Sequence, residues 1–241
     1  MNKPKKKPIS TMTIVMLIIV VAIVAVGLIS TIFFLRGWAP FGEIVGSGEL
    51  ITNEEFISDF TSVDARSGFN VEISKSSSYS ILVTTDDNVM EFVEITKSGD
   101  TLVIGVKFGY IFRSVTLNVE ISMPEIYSLE LSGGVQGKLE EFRSNNTFSV
   151  ELSGGSRLVG VGEANDLTID ASGGSVLDLS DFLTHNVNIE LSGGSLATIN
   201  LDGRLDAYLS GGSRLSYFGD PIIGTIERSS GSTIKKSPLP D

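Results

Sequence analysis

The sequence predicts an all-β fold, a parallel β-helix of about six coils that are each about 20 residues long. The first observation behind this prediction is a repeated Ser-Gly-Gly phrase, as in "IELSGGSLA" at residues 189–197. Successive phrases begin 21, 19, 20, 18 and 19 residues apart. A period near 20 with small variation is typical of a solenoid, in which loops absorb short insertions. The opening serines are Ser132, Ser153, Ser172, Ser192, Ser210 and, in a degenerate sixth copy, Ser229.

The second observation is an alternation of apolar and polar residues before each serine. In the fourth copy the apolar residues Val187, Ile189 and Leu191 alternate with Asn188 and Glu190. A period of two indicates a strand with one buried face. A second apolar pair follows the glycines in each copy, so each coil contains at least two short strands. One coil cannot bury its own apolar face, whereas coils stacked about 4.8 Å apart form a continuous core.

The Ser-Gly-Gly phrase is predicted to be a structural corner, because glycine adopts a positive φ without steric cost and lets adjacent coils approach closely. A phosphate loop would require a lysine and a helix after the glycines, and neither follows. A hydrolase nucleophile would require Gly-x-Ser-x-Gly and a histidine, but the only histidine is His185. The sequence therefore predicts no catalytic and no cofactor-binding residues. The predicted corner residues are Ser132, Gly133, Gly134, Ser153, Gly154, Gly155, Ser172, Gly173, Gly174, Ser192, Gly193, Gly194, Ser210, Gly211 and Gly212.

A column of acids stands two residues before the opening serines. Stacking of the coils would place these carboxylates on one face at strand spacing. The simpler interpretation is a solvated face, on which neighbouring charges repel by about 0.9 kcal/mol in water. The alternative is a strip that binds Ca²⁺, an ion that prefers several carboxylate oxygens. The four consecutive acids are Glu130, Glu151, Asp170 and Glu190, and Tyr208 and Glu227 follow in the last copies.

A membrane anchor is predicted near the N-terminus. Residues 14–35 contain 22 residues without a charge, long enough to span a bilayer as a helix. A cleaved signal peptide is disfavoured, because its apolar region would be shorter and a cleavage site would follow. Four lysines lie in the basic tail, residues 1–13, so the positive-inside rule keeps this tail in the cytoplasm. The sequence therefore predicts a single-pass protein of the cell membrane with an extracellular C-terminal domain.

The extracellular part is divided by composition. Residues 36–58 form a glycine-rich linker, and a β-rich start with an antiparallel cap is expected over residues 59–124. The Ser-Gly-Gly repeats occupy residues 125–235, and residues 236–241 form a tail. Within the β-rich start, strands are expected at 69–74, 79–86, 91–97, 101–107 and 116–122, with a hairpin turn at 97–100.

The composition excludes several functions. The chain has no cysteine, which rules out disulfides, thiolate metal sites and a cysteine nucleophile. It carries 18 Lys+Arg against 29 Asp+Glu, a net charge of −11. Nucleic acid is therefore not an expected partner, because phosphate contacts need clustered basic residues.

The order of the extracellular segments resembles a known family. "VDARSGFNVEIS", "YSILVTTDDN", "TLVIGV" and "VTLNVEISMPEIYSLELSGG" precede the repeated "LSGGS" strands, and this order is similar to the putative auto-transporter adhesin head GIN domain family, of DUF2807 type, over residues 59–235. The resemblance implies a right-handed parallel β-helix at the cell surface or in the envelope, and it supplies no catalytic residues. The uncleaved anchor departs from the secretion signal or lipid anchor expected of many relatives.

A non-catalytic binding or structural module at the cell envelope is the function that the sequence favours. Its expected partners are the membrane and either envelope glycans or surface proteins. Two alternatives stay open: a polysaccharide-active β-helix enzyme, and a sensor subunit of an envelope-stress system. An enzyme would need paired carboxylates, or acids with Arg or Lys, that converge in a cleft, whereas the acids here form a row. Fold alone does not decide between these functions.

Overall fold

The computed structural model describes residues 42–229 and 231–238. The predicted basic tail, the predicted anchor and residues 36–41 of the predicted linker lie outside the described residues. Within the described ranges, no helix is long and apolar enough to cross a membrane. The helical structure in this part of the chain is one 3-10 turn at Met90–Phe92.

The described residues form 18 strands, which confirms the prediction of an all-β fold. Strands β1 and β8 form a two-stranded sheet of their own, and the other 16 form one coiled sheet, a solenoid of about five turns. Their bounds are β1 Gly42–Val45, β2 Leu50–Glu54, β3 Ser62–Ala65, β4 Asn70–Lys75, β5 Ser80–Asp86, β6 Val93–Ser98, β7 Thr101–Val106, β8 Tyr110–Arg113, β9 Leu117–Met123, β10 Ser128–Leu131, β11 Gln136–Leu152, β12 Arg157–Ala171, β13 Val176–Leu191, β14 Leu196–Leu201, β15 Arg204–Leu209, β16 Arg214–Phe218, β17 Ile222–Arg228 and β18 Thr233–Lys236.

Two parallel ladders make up the solenoid. The ladder before the corner runs in the order β7–β3–β10–β11–β12–β13–β15–β17. The ladder after the corner runs in the order β9–β4–β11–β12–β13–β14–β16–β18. Strands β11, β12 and β13 contribute to both ladders, because each continues from the second strand of one coil into the first strand of the next.

The core consists of inward-facing side chains stacked in register. One column contains Leu129, Val150, Ile169, Ile189 and Ala207, and each of these residues is at most 1 % exposed. Burial of a large aliphatic side chain contributes about 1.5–3 kcal/mol. The alternation seen in the sequence therefore becomes a continuous apolar interior.

The number of regular turns is smaller than the six copies of the phrase. Five corners carry the full Gly-Gly pair, whereas the last corner, between β17 and β18, retains only Gly231 with a φ of +82°. Strands β17 and β18 pair with the preceding coil on one side, so their apolar residues are less covered. Ile222 is 72 % exposed and Ile223 is 49 % exposed. The degenerate copy thus ends the regular stack.

The β-rich start is only partly antiparallel. Strand β6 pairs antiparallel with β7, β5 with β9 and β2 with β5, so these strands cover the edge of the stack. The hairpin turn expected at 97–100 joins β6 to β7, with Gly99 at a φ of +60°. Strands β3, β4, β7 and β9, however, are parallel members of the solenoid. Apolar and polar residues alternate with the same period in parallel and antiparallel strands. The sequence pattern therefore did not reveal that these four strands are parallel rather than part of the expected antiparallel cap.

Each Gly-Gly corner depends most on its first glycine. In the last regular corner, Gly211 and Gly212 have φ values of +61° and +79°. The N–H of the serine before them, Ser210, donates to the carbonyl oxygen of Leu191 one coil earlier, at 2.8 Å. A Cβ on Gly211 would lie 2.8 Å from the backbone nitrogen of Gly193, whereas a Cβ on Gly212 would meet no atom within 4 Å. The same asymmetry occurs at the three preceding corners, where the Cβ contact would be 3.0–3.1 Å.

We expect Gly211→Ala to destabilise the protein more than Gly212→Ala. Both substitutions place an L-residue in the left-handed region, at a cost of about 1–2 kcal/mol. Gly211→Ala also forces its Cβ against the backbone of the preceding coil, which adds about 1–3 kcal/mol. Urea denaturation of the full chain in detergent, followed by circular dichroism, measures both free energies of unfolding. Equal losses for the two variants would contradict the close-approach explanation.

Candidate functional site

The acids predicted to stack lie side by side on the outer face of the ladder before the corner. Glu130 is in register with Glu151, Glu151 with Asp170, and Asp170 with Glu190. The row continues in both directions through residues at the same register position. We call the whole row the acidic ladder, and its members are Asp64, Glu130, Glu151, Asp170, Glu190, Tyr208 and Glu227.

Asp64 belongs to the acidic ladder although the sequence analysis missed it. It precedes a corner made by Ser67 and Gly68, whose φ values are +66° and +75°. This corner lacks the Gly-Gly pair and lies far upstream of Ser132, so it falls outside the 20-residue period. The signal that could have found it is the phrase "VDARSG", which has the acid and the small corner residues at the spacing of "LELSGG".

A second column of polar side chains runs beside the acidic ladder. Its members are two residues earlier on each strand and therefore project from the same face. Together the two columns form what we call the ladder face. The second column contains Ser62, Ser128, Ser149, Thr168, Asn188 and Asp206.

The start of the acidic ladder is neutralised by a cation. Asp64 is only 6 % exposed, and the Arg66 guanidinium donates to both of its carboxylate oxygens, with Nε 2.9 Å from Oδ1. Burial raises the pKa of the neighbouring Glu130, and the charges of Asp64 and Glu151 raise it further, against a lowering by Arg66. The carboxylates at this end of the acidic ladder therefore repel one another, as expected for like charges on adjacent strands.

The middle of the acidic ladder is open to solvent. Glu151, Asp170 and Glu190 are exposed, and none of them has an ion pair among the residues that the structure describes. In the second column, by contrast, Asp206 is held by Arg204 Nε at 2.6 Å and by the Thr225 N–H at 2.7 Å. These hydrogen bonds lower the pKa of Asp206 to about 2. The three middle acids are thus available to an external ligand.

Tyr208 lines two shallow depressions on the ladder face. Its side chain takes the place of an acid in the row and is 37 % exposed. One depression has a volume of about 260 Å³ and the other about 380 Å³. The smaller one is lined by Ser149, Glu151, Thr168, Ile169, Asp170, Asn188, Glu190 and Tyr208. The larger one is lined by Glu190, Tyr208, Leu209, Ser210, Glu227, Arg228 and Ser229.

The geometry of the acidic ladder bears on the Ca²⁺ alternative. Among the described residues, no group of three or more His, Asp or Glu side chains is placed to hold a metal ion. The acids stand one per coil in a straight register, rather than converging on one point from a loop. A Ca²⁺ ion would need about six to eight oxygen ligands around it.

The serines that follow the glycines are occupied within the corners. The Ser195 hydroxyl, for example, donates to the carbonyl oxygen of Ser192 at 2.7 Å, and the side chain is fully buried. The same bond recurs from Ser156 to Ser153 at 2.8 Å. In the first copy this position is Val135, which is also fully buried. The hydroxyls of Ser156, Ser175, Ser195 and Ser213 therefore close their own turns and do not face a ligand. The hydroxyl of Ser232, in the degenerate last copy, is buried without a hydrogen-bond partner among the described residues.

We expect Glu130→Gln to stabilise the protein at pH 7. The raised pKa of Glu130 means that the folded state holds this proton more tightly, so stability falls as pH rises above the ordinary pKa of 4.5. The neutral glutamine side chain removes this loss of stability. The free energy of unfolding should therefore rise by up to about 1 kcal/mol per neighbouring charge in water. The gain should vanish below about pH 4, where the folded and unfolded states are both protonated.

Urea denaturation at pH 7 and pH 4 measures this effect. Glu94→Gln, at an exposed glutamate of β6 outside the acidic ladder, is the control and should change stability at neither pH. A lower free energy of unfolding for Glu130→Gln at pH 7 would contradict the repulsion inferred for the acidic ladder.

Comparison with known proteins agrees with this architecture. The family model for the putative auto-transporter adhesin, head GIN domain, matches residues 59–221. A crystal structure of a putative adhesin from Bacteroides fragilis is 18 % identical, with a TM-score of 0.68, and covers 80 % of this chain and 100 % of that one. A structure described as a putative lipid binding protein from Parabacteroides distasonis is 17 % identical, with a TM-score of 0.51, and covers 81 % of this chain and 99 % of that one.

At these identities the solved structures establish a shared fold and nothing more. None of the curated proteins matches the chain. The family match, in contrast, covers more than half of the sequence and includes the cap strands β5 and β6 and the five Gly-Gly corners. The chain therefore belongs to the family of putative auto-transporter adhesin head GIN domains.

Proposed function

We propose that the protein is a non-catalytic binding module of the cell envelope. Residues 14–35 anchor it in the cell membrane with the N-terminus in the cytoplasm, and the solenoid lies outside. The ladder face contacts an extended envelope glycan. The observation that carries this proposal is the repetition of hydrogen-bonding groups at strand spacing along one exposed face.

The chemistry of the ladder face suits a polyhydroxylated ligand. Each exposed carboxylate accepts hydrogen bonds from sugar hydroxyls, and charge-assisted bonds are stronger than neutral ones. Thr168 and Asn188, in the second column, add a hydroxyl and an amide beside the acids Asp170 and Glu190. The Tyr208 ring offers a flat apolar surface on which a sugar ring can stack. The two columns together contact a linear chain at several successive levels.

The charge of the face selects among glycans. Glu151, Asp170 and Glu190 carry negative charge without an ion-pair partner among the described residues. An acidic polysaccharide would be repelled, whereas a neutral polymer or one with free amino groups would not. We therefore expect neutral or cationic envelope glycans to bind most tightly.

Two features support a role without catalysis. Glycoside hydrolysis uses two carboxyl groups that flank the scissile bond from opposite sides, but the acidic ladder presents its carboxylates from one side in a row. The buried corner hydroxyls, such as that of Ser195, are hydrogen-bonded to their own turn. The family to which the chain belongs is described by adhesion, which agrees with binding rather than turnover.

The membrane topology can be tested with single cysteines, because the chain contains none. We expect a membrane-impermeant maleimide to label Ser237→Cys on intact cells and to label Asn2→Cys only after lysis. These positions flank the proposed anchor, and neither substitution removes a lysine of the basic tail. Labelling of Asn2→Cys on intact cells, or of neither variant before lysis, would contradict the proposed orientation.

The ligand can be tested with the full chain in nanodiscs against immobilised envelope polymers. We expect saturable binding without release of reducing or unsaturated sugar ends. Tyr208→Ala should weaken binding by about 2- to 13-fold, the equivalent of one lost aromatic contact of about 0.5–1.5 kcal/mol. Tyr127→Ala is a matched control, because Tyr127 is 42 % exposed and lies outside the acidic ladder.

Two results would contradict the proposed function. Release of sugar ends from a bound polymer would show that the protein is an enzyme. Equal affinity of the Tyr208→Ala and Tyr127→Ala variants would show that the ladder face is not the binding surface.

A further inference from the structure

The ladder after the corner has an open strand edge at each end of the solenoid. At the C-terminal end, β18 pairs with β16 on one side, and no described strand lies on its other side. At the N-terminal end, β2 pairs with β5 on one side, and within the described ranges no strand lies beyond it. Each of these strands therefore presents a row of backbone N–H and C=O groups that can pair with another strand. We call β18 the tail edge and β2 the head edge.

The head edge and the tail edge run in the same direction. Strand β2 is antiparallel to β5, and β5 is antiparallel to β9, which is parallel to the later strands of its ladder as far as β18. Two reversals restore the original direction. A second copy that continued the solenoid along its axis would therefore add its head edge to the tail edge as one more parallel strand, at a spacing of about 4.8 Å.

Apolar side chains on the two edges match in this arrangement. Ile234 of the tail edge lies on the inner face, because it is in register with the buried Leu215. Ile51 of the head edge also lies on the inner face, because it is in register with the buried Thr85, and it is 38 % exposed. A register that places Ile234 opposite Ile51 would extend the apolar interior from one copy into the next.

The two ends of the solenoid carry opposite charges. The last coil, residues 222–236, has three bases against one acid, a net charge of +2, whereas residues 49–59 have four acids and no base. Lys235 and Glu54 are exposed, and neither has an ion pair among the described residues. In the register that pairs the two isoleucines, Lys235 and Glu54 project from the same outer face as diagonal neighbours, within reach of long side chains.

Charge opposes the other ways in which two ends could meet. Two tail edges would bring the lysines of both copies together, and lysine on an edge strand discourages pairing between like edges. Two head edges would bring together Glu54 and Glu55 of both copies, which repel one another. The net charge of −11 makes the copies repel one another as whole molecules. The opposite charges thus favour contact between the tail edge of one copy and the head edge of another.

We propose that copies of this chain associate end to end, with the tail edge of one copy paired in parallel with the head edge of the next. Such an interface is heterologous, because it joins two different surfaces, and it can repeat from copy to copy. Each added copy contributes a further ladder face to the assembly. The interface does not depend on the proposed glycan binding.

Sedimentation velocity of the full chain in detergent tests this interface through an exchange of charge. We expect association that increases with protein concentration and weakens with salt. Lys235→Glu and Glu54→Lys should each weaken association by about 2- to 30-fold, because an exposed ion pair is replaced by a repulsion of similar size. A mixture of the two variants should restore association, because the tail edge of each then meets a head edge of opposite charge on the other. Arg157→Glu, at an exposed arginine of a middle coil, is the matched control and should leave association unchanged.

Crosslinking identifies which ends meet. Because the chain has no cysteine, Thr233→Cys and Asn53→Cys place single thiols at exposed positions of the tail edge and the head edge. We expect a short bismaleimide to join these two variants in a mixture. It should give little product from either variant alone, or from either mixed with Thr168→Cys, an exposed control position in the middle of the solenoid.

Three results would overturn the proposed interface. The first is a monomer at every concentration tested. The second is crosslinked product from one edge variant alone, which would show contact between like ends. The third is association that neither Lys235→Glu nor Glu54→Lys weakens, which would place the contact elsewhere in the chain, such as in the proposed anchor.

Discussion

The close approach of the corner backbones is the constraint on which the rest of the solenoid depends. The Ser192 N–H donates to the carbonyl oxygen of Ala171 at 2.9 Å, which fixes the spacing of adjacent coils. At this spacing a Cβ on Gly193 would lie 3.0 Å from the nitrogen of Gly173, so the first position of this corner favours glycine. Because the five Gly-Gly corners have the same form, the residues that follow them fall into columns. The apolar core and the acidic ladder are both consequences of this register.

Much of this arrangement could be predicted from the sequence, because the period and the alternation jointly determine which residues stack. The four acids from Glu130 to Glu190 are neighbours as the repeat indicated. The coil that contains Asp64 and Arg66 was missed, because strands β5 to β9 separate it from the repeats and its corner has one glycine instead of two. The direction of strand pairing in the β-rich start could not be predicted from the sequence either, because a period of two does not distinguish parallel from antiparallel neighbours.

The same stacking that stabilises the interior imposes a cost outside. Carboxylates in adjacent coils repel one another, and burial adds to this at Glu130, whose pKa is raised. Arg66 offsets the charge of Asp64 at one end of the acidic ladder, whereas Glu151, Asp170 and Glu190 keep theirs facing solvent. Repulsion within this row opposes folding, which is why we assign the binding role to the ladder face rather than to the more repetitive corners.

Native-state hydrogen exchange of the full chain tests most directly whether the Ser-Gly-Gly corners are architecture. Ligand-binding loops exchange by local opening, whereas elements that hold a fold together exchange only when the whole domain unfolds. The account predicts that the amides of Ser153, Ser172, Ser192 and Ser210 exchange as slowly as those of the core residues Val150, Ile169 and Ile189. Fast exchange at the corner amides, with the core strands still protected, would contradict it.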